Sequence, residues 1–252
     1  MDKARPCPRS LLTRPGLVKD NGCMPARNRI KPYVENGFYH VYNRGVEKRR
    51  IFLDDQDYRV FLQLLKFYLE PNLNPEKHPL TDLTGFSPAR IRPITTLHQE
   101  VELNCYCLMP NHFHLLVKQR SRDGMKKLLL RLLTTYSMYF NRRHERVGHL
   151  FQGPYKAALV DNDNYLLHLS RYIHQNPTLT KGFLGEYPYS SYPIYIGEKK
   201  ADWLNTEPIL SLFEPSKISN LNLNAFSSYR DFVESYDVEP EEIIGRLVIE
   251  KD

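Results

Sequence analysis

The stretch Pro110-Asn111-His112-Phe113-His114-Leu115-Leu116-Val117 sets two histidines two residues apart inside an apolar run. Side chains alternate along a β-strand, so His112 and His114 share one face while Phe113, Leu115 and Val117 line the other. One face of such a strand is core, and the opposite face presents two imidazoles side by side. Imidazole is the commonest protein metal ligand, and two on one rigid strand make half a site for a divalent cation. A pair of surface histidines fits this stretch alone equally well. The other half of a site has to come from elsewhere in the chain.

Strand signals flank the pair. Between Thr95 and Leu108, Val101, Leu103, Cys105 and Cys107 alternate with Glu102, Asn104 and Tyr106, and the Met109–Asn111 turn makes a hairpin with the histidine strand. The alternation over 37–44 predicts a first strand. Asp54 caps a helix running to about Leu69, with Asp57 at the capping-box position and Val60, Phe61, Leu64, Leu65 and Tyr68 as its apolar stripe. Residues 70–93, rich in Pro and Asn, read as a long loop. Gly124 precedes an amphipathic helix over Met125–Arg143, and Gly148–Val160 reads as an irregular strand. Asp161 caps a further helix that stops near Asn176, because Pro177 follows. Strand–helix–strand–strand–helix–strand–helix is an α+β pattern: a small antiparallel sheet with helices on it.

The bulk numbers set the class. A chain of 252 residues with 41% hydrophobic and 12% aromatic residues can bury a core. It has no apolar run long enough for a bilayer and no signal-peptide h-region, so a cytoplasmic protein is the default. Cys7, Cys23, Cys105 and Cys107 form no Cys-x-x-Cys pattern, and Cys105 and Cys107 read as reduced core residues. The net charge of +6 is uneven. Residues 1–32 hold eight Lys/Arg against two Asp/Glu and five prolines, and read as a flexible basic arm. Residues 33–195 hold 21 against 15. Residues 196–252 hold six against 12 and read as an acidic, partly helical extension, with short helices at Glu207–Phe213 and around Tyr229–Tyr236. The basic parts suit a polyanionic partner; the acidic part does not.

The helix before Pro177 supplies what the histidine pair lacks. At 100° per residue, Tyr165, Leu169, Tyr172, Ile173 and Asn176 fall on one stripe, with Tyr172 and Asn176 one turn apart. Read for packing alone, Tyr172 is an amphipathic core residue and Asn176 a C-terminal cap.

His112-Phe113-His114 after Pro110-Asn111, with Arg171-Tyr172-Ile173-His174-Gln175-Asn176-Pro177 downstream, strongly resembles the single-tyrosine HUH transposases. The closer likeness is to the REP-associated tyrosine transposases, a domesticated bacterial branch of the insertion-sequence-200 type. Tyr39-His40-Val41-Tyr42-Asn43-Arg44-Gly45, the stretch over 148–156 and Tyr187-Pro188-Tyr189-Ser190-Ser191-Tyr192 match as well, so the resemblance covers about residues 33–195. It implies a ferredoxin-like fold of the HUH endonuclease kind and a nuclease and strand transferase dependent on Mg²⁺ or Mn²⁺. The substrate it implies is single-stranded DNA with a hairpin (REP-like) element, met in the bacterial cytoplasm at the nucleoid, with no membrane and no small-molecule cofactor. Tyr172 is then the nucleophile, forming a 5′-phosphotyrosine, and His112, His114 and Asn176 the metal ligands. The mobile branch commonly has glutamine one turn after the tyrosine; here Asn176 stands there, with Gln175 adjacent on a different helix face. Relatives work as dimers or monomers, so monomer and homodimer both stay open.

Among other residues, Tyr42, Asn43 and Arg44 at the end of the first strand suit stacking and bonding to unpaired bases. Lys118, Arg120, Arg131, Arg142, Arg143 and Lys156 offer phosphate contacts, and Gln152 sits in a segment that can touch DNA. Tyr165, Tyr136 and Tyr139 read as packing residues. Two rival readings are a catalytically retired hairpin-binding protein of the same fold and a metal-dependent hydrolase that uses the histidines without the tyrosine.

Overall fold

The computed structural model describes residues 33–72, 74, 78–84, 94–177, 184–213 and 226–235. The basic arm, much of the 70–93 loop, Cys7, Cys23 and parts of the acidic extension lie outside the described residues. β1 (Gly37–Arg44), α1 (Asp55–Leu69), α2 (Pro79–Thr84), β2 (Val101–Met109), β3 (His112–Gln119), α3 (Gly124–Arg143), β4 (Lys156–Val160) and α4 (Asp163–Gln175) follow in order. The strands pair antiparallel in the order β2-β3-β1-β4. This is the ferredoxin-like arrangement, with the histidine strand and β1 at its centre.

Register decides which residues share a face, because directly paired residues point the same way. His112 pairs with Arg44, His114 with Tyr42 and Leu116 with His40. These form one face; Phe113, Leu115 and Val117, opposite Asn43, Val41 and Tyr39, form the other. α1 and α3 cover the second face, with the Phe61 ring 5.3 Å from Phe113 and 5.0 Å from Tyr136. The buried apolar stripe of α1 contributes roughly 1.5–3 kcal/mol per large side chain. α4 covers the histidine face, bringing the Tyr172 ring to 5.3 Å from His114. The alternative of a pair of surface histidines therefore fails: both faces are buried around the pair, and His114 is fully so. The cause is α4, whose own stripe of Leu169, Tyr172 and Ile173 has to be buried somewhere.

Three local features depart from the sequence reading. A register shift between Leu103 and Cys105 inserts an extra residue into β2. Leu103 consequently lies with Val117, whereas Cys105 and Cys107 pair with Leu116 and His114 on the histidine face, so simple alternation fails across the bulge. Both cysteines are free and buried. Secondly, the cap of α4 is Asn162 rather than Asp161: Asn162 is extended and its side chain accepts from the Tyr165 amide at 2.8 Å. Asp161 instead accepts from Asn162 Nδ2 at 2.7 Å. Thirdly, α2 interrupts the expected long loop, and its Leu80 is fully buried.

Asp54 caps α1 as expected, accepting from Gln56 and Asp57. Asp57 does more than cap. Fully buried, it accepts from the Leu53 amide at 2.9 Å, Tyr139 at 2.9 Å and Arg143 Nη1 at 2.7 Å, tying the start of α1 to the end of α3. Beyond the sheet, α5 (Tyr192–Tyr195), α6 (Glu207–Leu210) and α7 (Tyr229–Glu234) follow. Among the described residues no helix is long and apolar enough to cross a membrane.

Candidate active site

Three elements meet at the histidine pair: β3 carries His112 and His114, β1 carries His40 and Tyr42, and α4 carries Tyr172 and Asn176. The His112 and His114 rings are 5.0 Å apart and nearly perpendicular, and Tyr172 meets His114 edge-on at 86°. Burial pushes the pKa of His112 down to about 4, helped by the nearby Arg44 charge and opposed by Asn176. Burial also holds His40 down at about 3 and His114 well below the ordinary range. All three imidazoles are neutral at physiological pH, as metal ligands must be.

His112 faces a conflict that points to a cation. Its Nδ1 lies 2.7 Å from Asn111 Oδ1 and its Nε2 lies 3.2 Å from Asn176 Oδ1. Both amides are oriented by their own NH₂ groups: Asn111 Nδ2 donates to the Lys48 carbonyl and Asn176 Nδ2 to the Tyr172 carbonyl. A neutral imidazole has one N–H and cannot donate to both oxygens. The shorter contact takes the proton on Nδ1, and the Nε2 lone pair then faces the Asn176 oxygen lone pair. A divalent cation between them turns that repulsion into two ligand bonds. Nearby, Nε2 of fully buried His114 has no hydrogen-bond partner among the described residues, which leaves it a third donor. Two imidazole nitrogens and an amide oxygen thus fit a metal. No group of three or more His, Cys, Asp and Glu does so among the described residues, so the donor set carries no charge of its own.

Gln175 is turned elsewhere: its Nε2 donates to the Val233 carbonyl of α7 at 2.6 Å. The rest of α7 braces the same helix. His174 is fully buried between Tyr229 OH and Ser191 Oγ, each at 2.7 Å, and Tyr229 OH donates on to Ser170.

A family model described as IS200-like transposase matches residues 90–176. The matched stretch contains His112, His114 and Tyr172 and ends on Asn176. That segment is similar to the IS200-like transposases. Among solved structures the chain is similar to a REP-associated tyrosine transposase bound to a REP hairpin, at 13% identity and a TM-score of 0.45, over 71% of this chain and 91% of that one. It is also similar to a protein from Deinococcus radiodurans R1 assigned as a transposase, at 14% identity and a TM-score of 0.33, over 59% and 96%. No curated protein matches. A transposase-like role in DNA processing goes with the family.

Around this site the sequence candidates divide. Tyr42, Arg44, Lys118 and Lys156 share the histidine face, with the Tyr42 ring 6.1 Å from His114 and the Lys156 ammonium 5.6 Å from the Tyr42 ring. Gln152 joins them through the Arg44 guanidinium, which donates to it. Asn43 points to the opposite face, where it donates to the Gly153 carbonyl at 3.0 Å. Arg143 is committed to Asp54 and Asp57, Arg120 to Glu102, and Arg131 to the Thr95 carbonyl. Arg142 lies on α3, behind the sheet. Of the other tyrosines, Tyr136 and Tyr139 also lie behind the sheet, bonded to the Ile51 carbonyl and Asp57. Tyr165 is half-buried two turns before Tyr172, its hydroxyl pushed up to about 12 by burial. Sequence reasoning gave no role to His40 or Asn111, the two residues that contact the far sides of the histidine rings.

Proposed function

We propose that the chain is a metal-dependent single-stranded DNA endonuclease and strand transferase that cleaves beside a hairpin element through a covalent 5′-phosphotyrosine at Tyr172. The observation that carries this reading is the neutral His112 ring set between two amide oxygens, on the same buried patch as Tyr172. His112, His114 and Asn176 would hold Mg²⁺ or Mn²⁺. When bound, the cation supplies positive charge to a nonbridging oxygen of the scissile phosphodiester.

The chain's own residues do the rest. Tyr172 Oη attacks phosphorus, the P–O3′ bond breaks, and the phenol proton is taken up by the departing 3′-oxygen, leaving a free 3′-hydroxyl. The tyrosine ester conserves the phosphodiester bond energy, so a second 3′-hydroxyl can reverse the step and join strands without ATP. Arg44, Lys118 and Lys156 contact backbone phosphates, whereas Tyr42, expected to stack on a base, is buried against His40 and His114 and lines the site instead. Because the donor set is neutral, the anionic oxygens a hard cation favours come from the DNA itself, which couples metal binding to substrate binding.

The test is a labelled single-stranded hairpin incubated with the full chain and Mn²⁺, followed by denaturing electrophoresis. Wild type should give a denaturation-resistant protein–DNA adduct, and Tyr172→Phe none. An adduct that survives Tyr172→Phe would remove Tyr172 as nucleophile. Tight hairpin binding by wild type without any adduct would leave a retired binding protein in place of an enzyme.

A further inference from the structure

We propose that His40 is a positioning residue of this site: its Nε2 accepts the Nδ1 proton of His114 and so keeps the Nε2 lone pair of His114 available to the cation. The inference rests on His112, His114 and Asn176 being the cation's holders. His40 Nε2 lies 2.8 Å from His114 Nδ1, and the two rings stack at 5.1 Å with 14° between their planes.

What His40 does not do is as telling. It is fully buried on β1, and among the described residues its Nδ1 has no hydrogen-bond partner. Among the described residues the one hydrogen-bond contact of its ring is to His114. His174, by contrast, uses both nitrogens, between Tyr229 and Ser191. Leaving one ring nitrogen unsatisfied in the interior is unfavourable.

The pair has two proton arrangements. With the proton on His114 Nδ1, His114 Nε2 is a ligand. With the proton between the rings on His40 Nε2, His114 carries its own hydrogen on Nε2 and cannot bind metal. Each arrangement buries one unpaired N–H and one unpaired lone pair, so the free protein has little preference. A cation at His114 Nε2 selects the first. His112 receives the same service from Asn111, whose oxygen accepts the Nδ1 proton at 2.7 Å. Both metal-facing nitrogens are thereby Nε2, each set by an acceptor behind its ring. β1 lies outside the segment over 90–176 that the family model matches.

The test is Mn²⁺ titration of the full chain, read by the electron paramagnetic resonance of free Mn²⁺, for wild type, His40→Met, His40→Gln and His112→Ala. Met fills the space without an acceptor; Gln restores an acceptor at the position of Nε2. Expected are a 10–100-fold weaker affinity for His40→Met, retention within about threefold for His40→Gln, and loss for His112→Ala. Wild-type affinity in His40→Met, or equal weakening by Met and Gln, overturns the role of His40 while the metal site stands. Wild-type affinity in His112→Ala overturns the site reading and this inference together. A second measurement needs no variant: two-bond ¹H–¹⁵N spectra of the Mg²⁺-saturated wild type should put the His114 proton on Nδ1, and a proton on Nε2 overturns the proposal.

Discussion

Replacing Asn176 by alanine separates a metal ligand from a helix-end hydrogen bond. If His112 keeps its proton on Nδ1, for Asn111, the 3.2 Å contact from Nε2 to the Asn176 oxygen contributes nothing to the metal-free protein. An ordinary hydrogen bond there would contribute about 0.5–1.5 kcal/mol. The metal-free variant should therefore lose less than about 1 kcal/mol, or under roughly 4 °C in melting temperature for a chain of this size. The metal-bound state responds differently. Mn²⁺ at a hundred times its wild-type Kd stabilises the folded protein by about 2.7 kcal/mol, a rise of roughly 5–11 °C. Losing one of three protein donors, at about 10–100-fold in affinity, cuts that stabilisation at the same Mn²⁺ concentration to about 1.4–0.4 kcal/mol, or roughly 1–6 °C. Thermal melting with and without Mn²⁺, followed by circular dichroism, reads both numbers from one preparation. A large fall in the metal-free melting point together with an undiminished Mn²⁺ shift would refute the reasoning: Asn176 would then be a cap for α4 and nothing more.

Two further outcomes follow from the buried polar groups. Burial holds His40 and His174 at about 3 and His112 at about 4, all below the ordinary 6.5 of the unfolded chain. Between pH 4 and 6.5 the unfolded state binds more protons, so stability rises with pH across that window and is lost as the pH falls. Urea unfolding at pH 7.5 and 5.5 should differ by about 1.4 kcal/mol for each such histidine, and equal midpoints at the two pH values would contradict their being neutral. Tyr229→Phe removes the hydroxyl that lies between His174 Nδ1 and Ser170 Oγ, and should destabilise by about 1–3 kcal/mol through the buried nitrogen left unpaired. An unchanged unfolding midpoint would mean that α7 does not brace α4.

Most of the fold was legible because the signals were local. The alternation over 37–44 and the 3.6-residue stripe after Asp54 end where the backbone ends them, at Arg44 and Leu69. The failures share one physical origin. The β2 bulge is created by pairing with β3, and nothing in Leu103-Asn104-Cys105 announces that one residue will be skipped. Asp161 and Asn162 are both good capping residues, and the choice between them depends on where β4 stops, at Val160, and how the chain turns onto the sheet. The short α2 helix exists because Leu80 is buried there, which sequence periodicity over six residues cannot reveal.

The same distinction divides the site. His112 and His114 are two residues apart on one strand, and Tyr172 and Asn176 four apart on one helix, so spacing alone puts each pair on a single face. What spacing cannot supply is the relation between the pairs, or the groups behind the rings. His40 is 74 positions from His114 in the chain and reaches it only because β1 lies beside β3 with His40 opposite Leu116, one diagonal step away. Asn111 is next to His112 but read as a turn residue, since its oxygen matters only once its NH₂ is tied to Lys48 on a different loop. A metal half-site can therefore be read from sequence, whereas the protonation state that makes it a ligand is a property of register. A one-residue slip of β1 against β3 would turn His40 to the α1/α3 face and strip His114 of its acceptor, leaving the His-Phe-His stretch itself unchanged. The intact motif is thus necessary for the chemistry but does not by itself secure it.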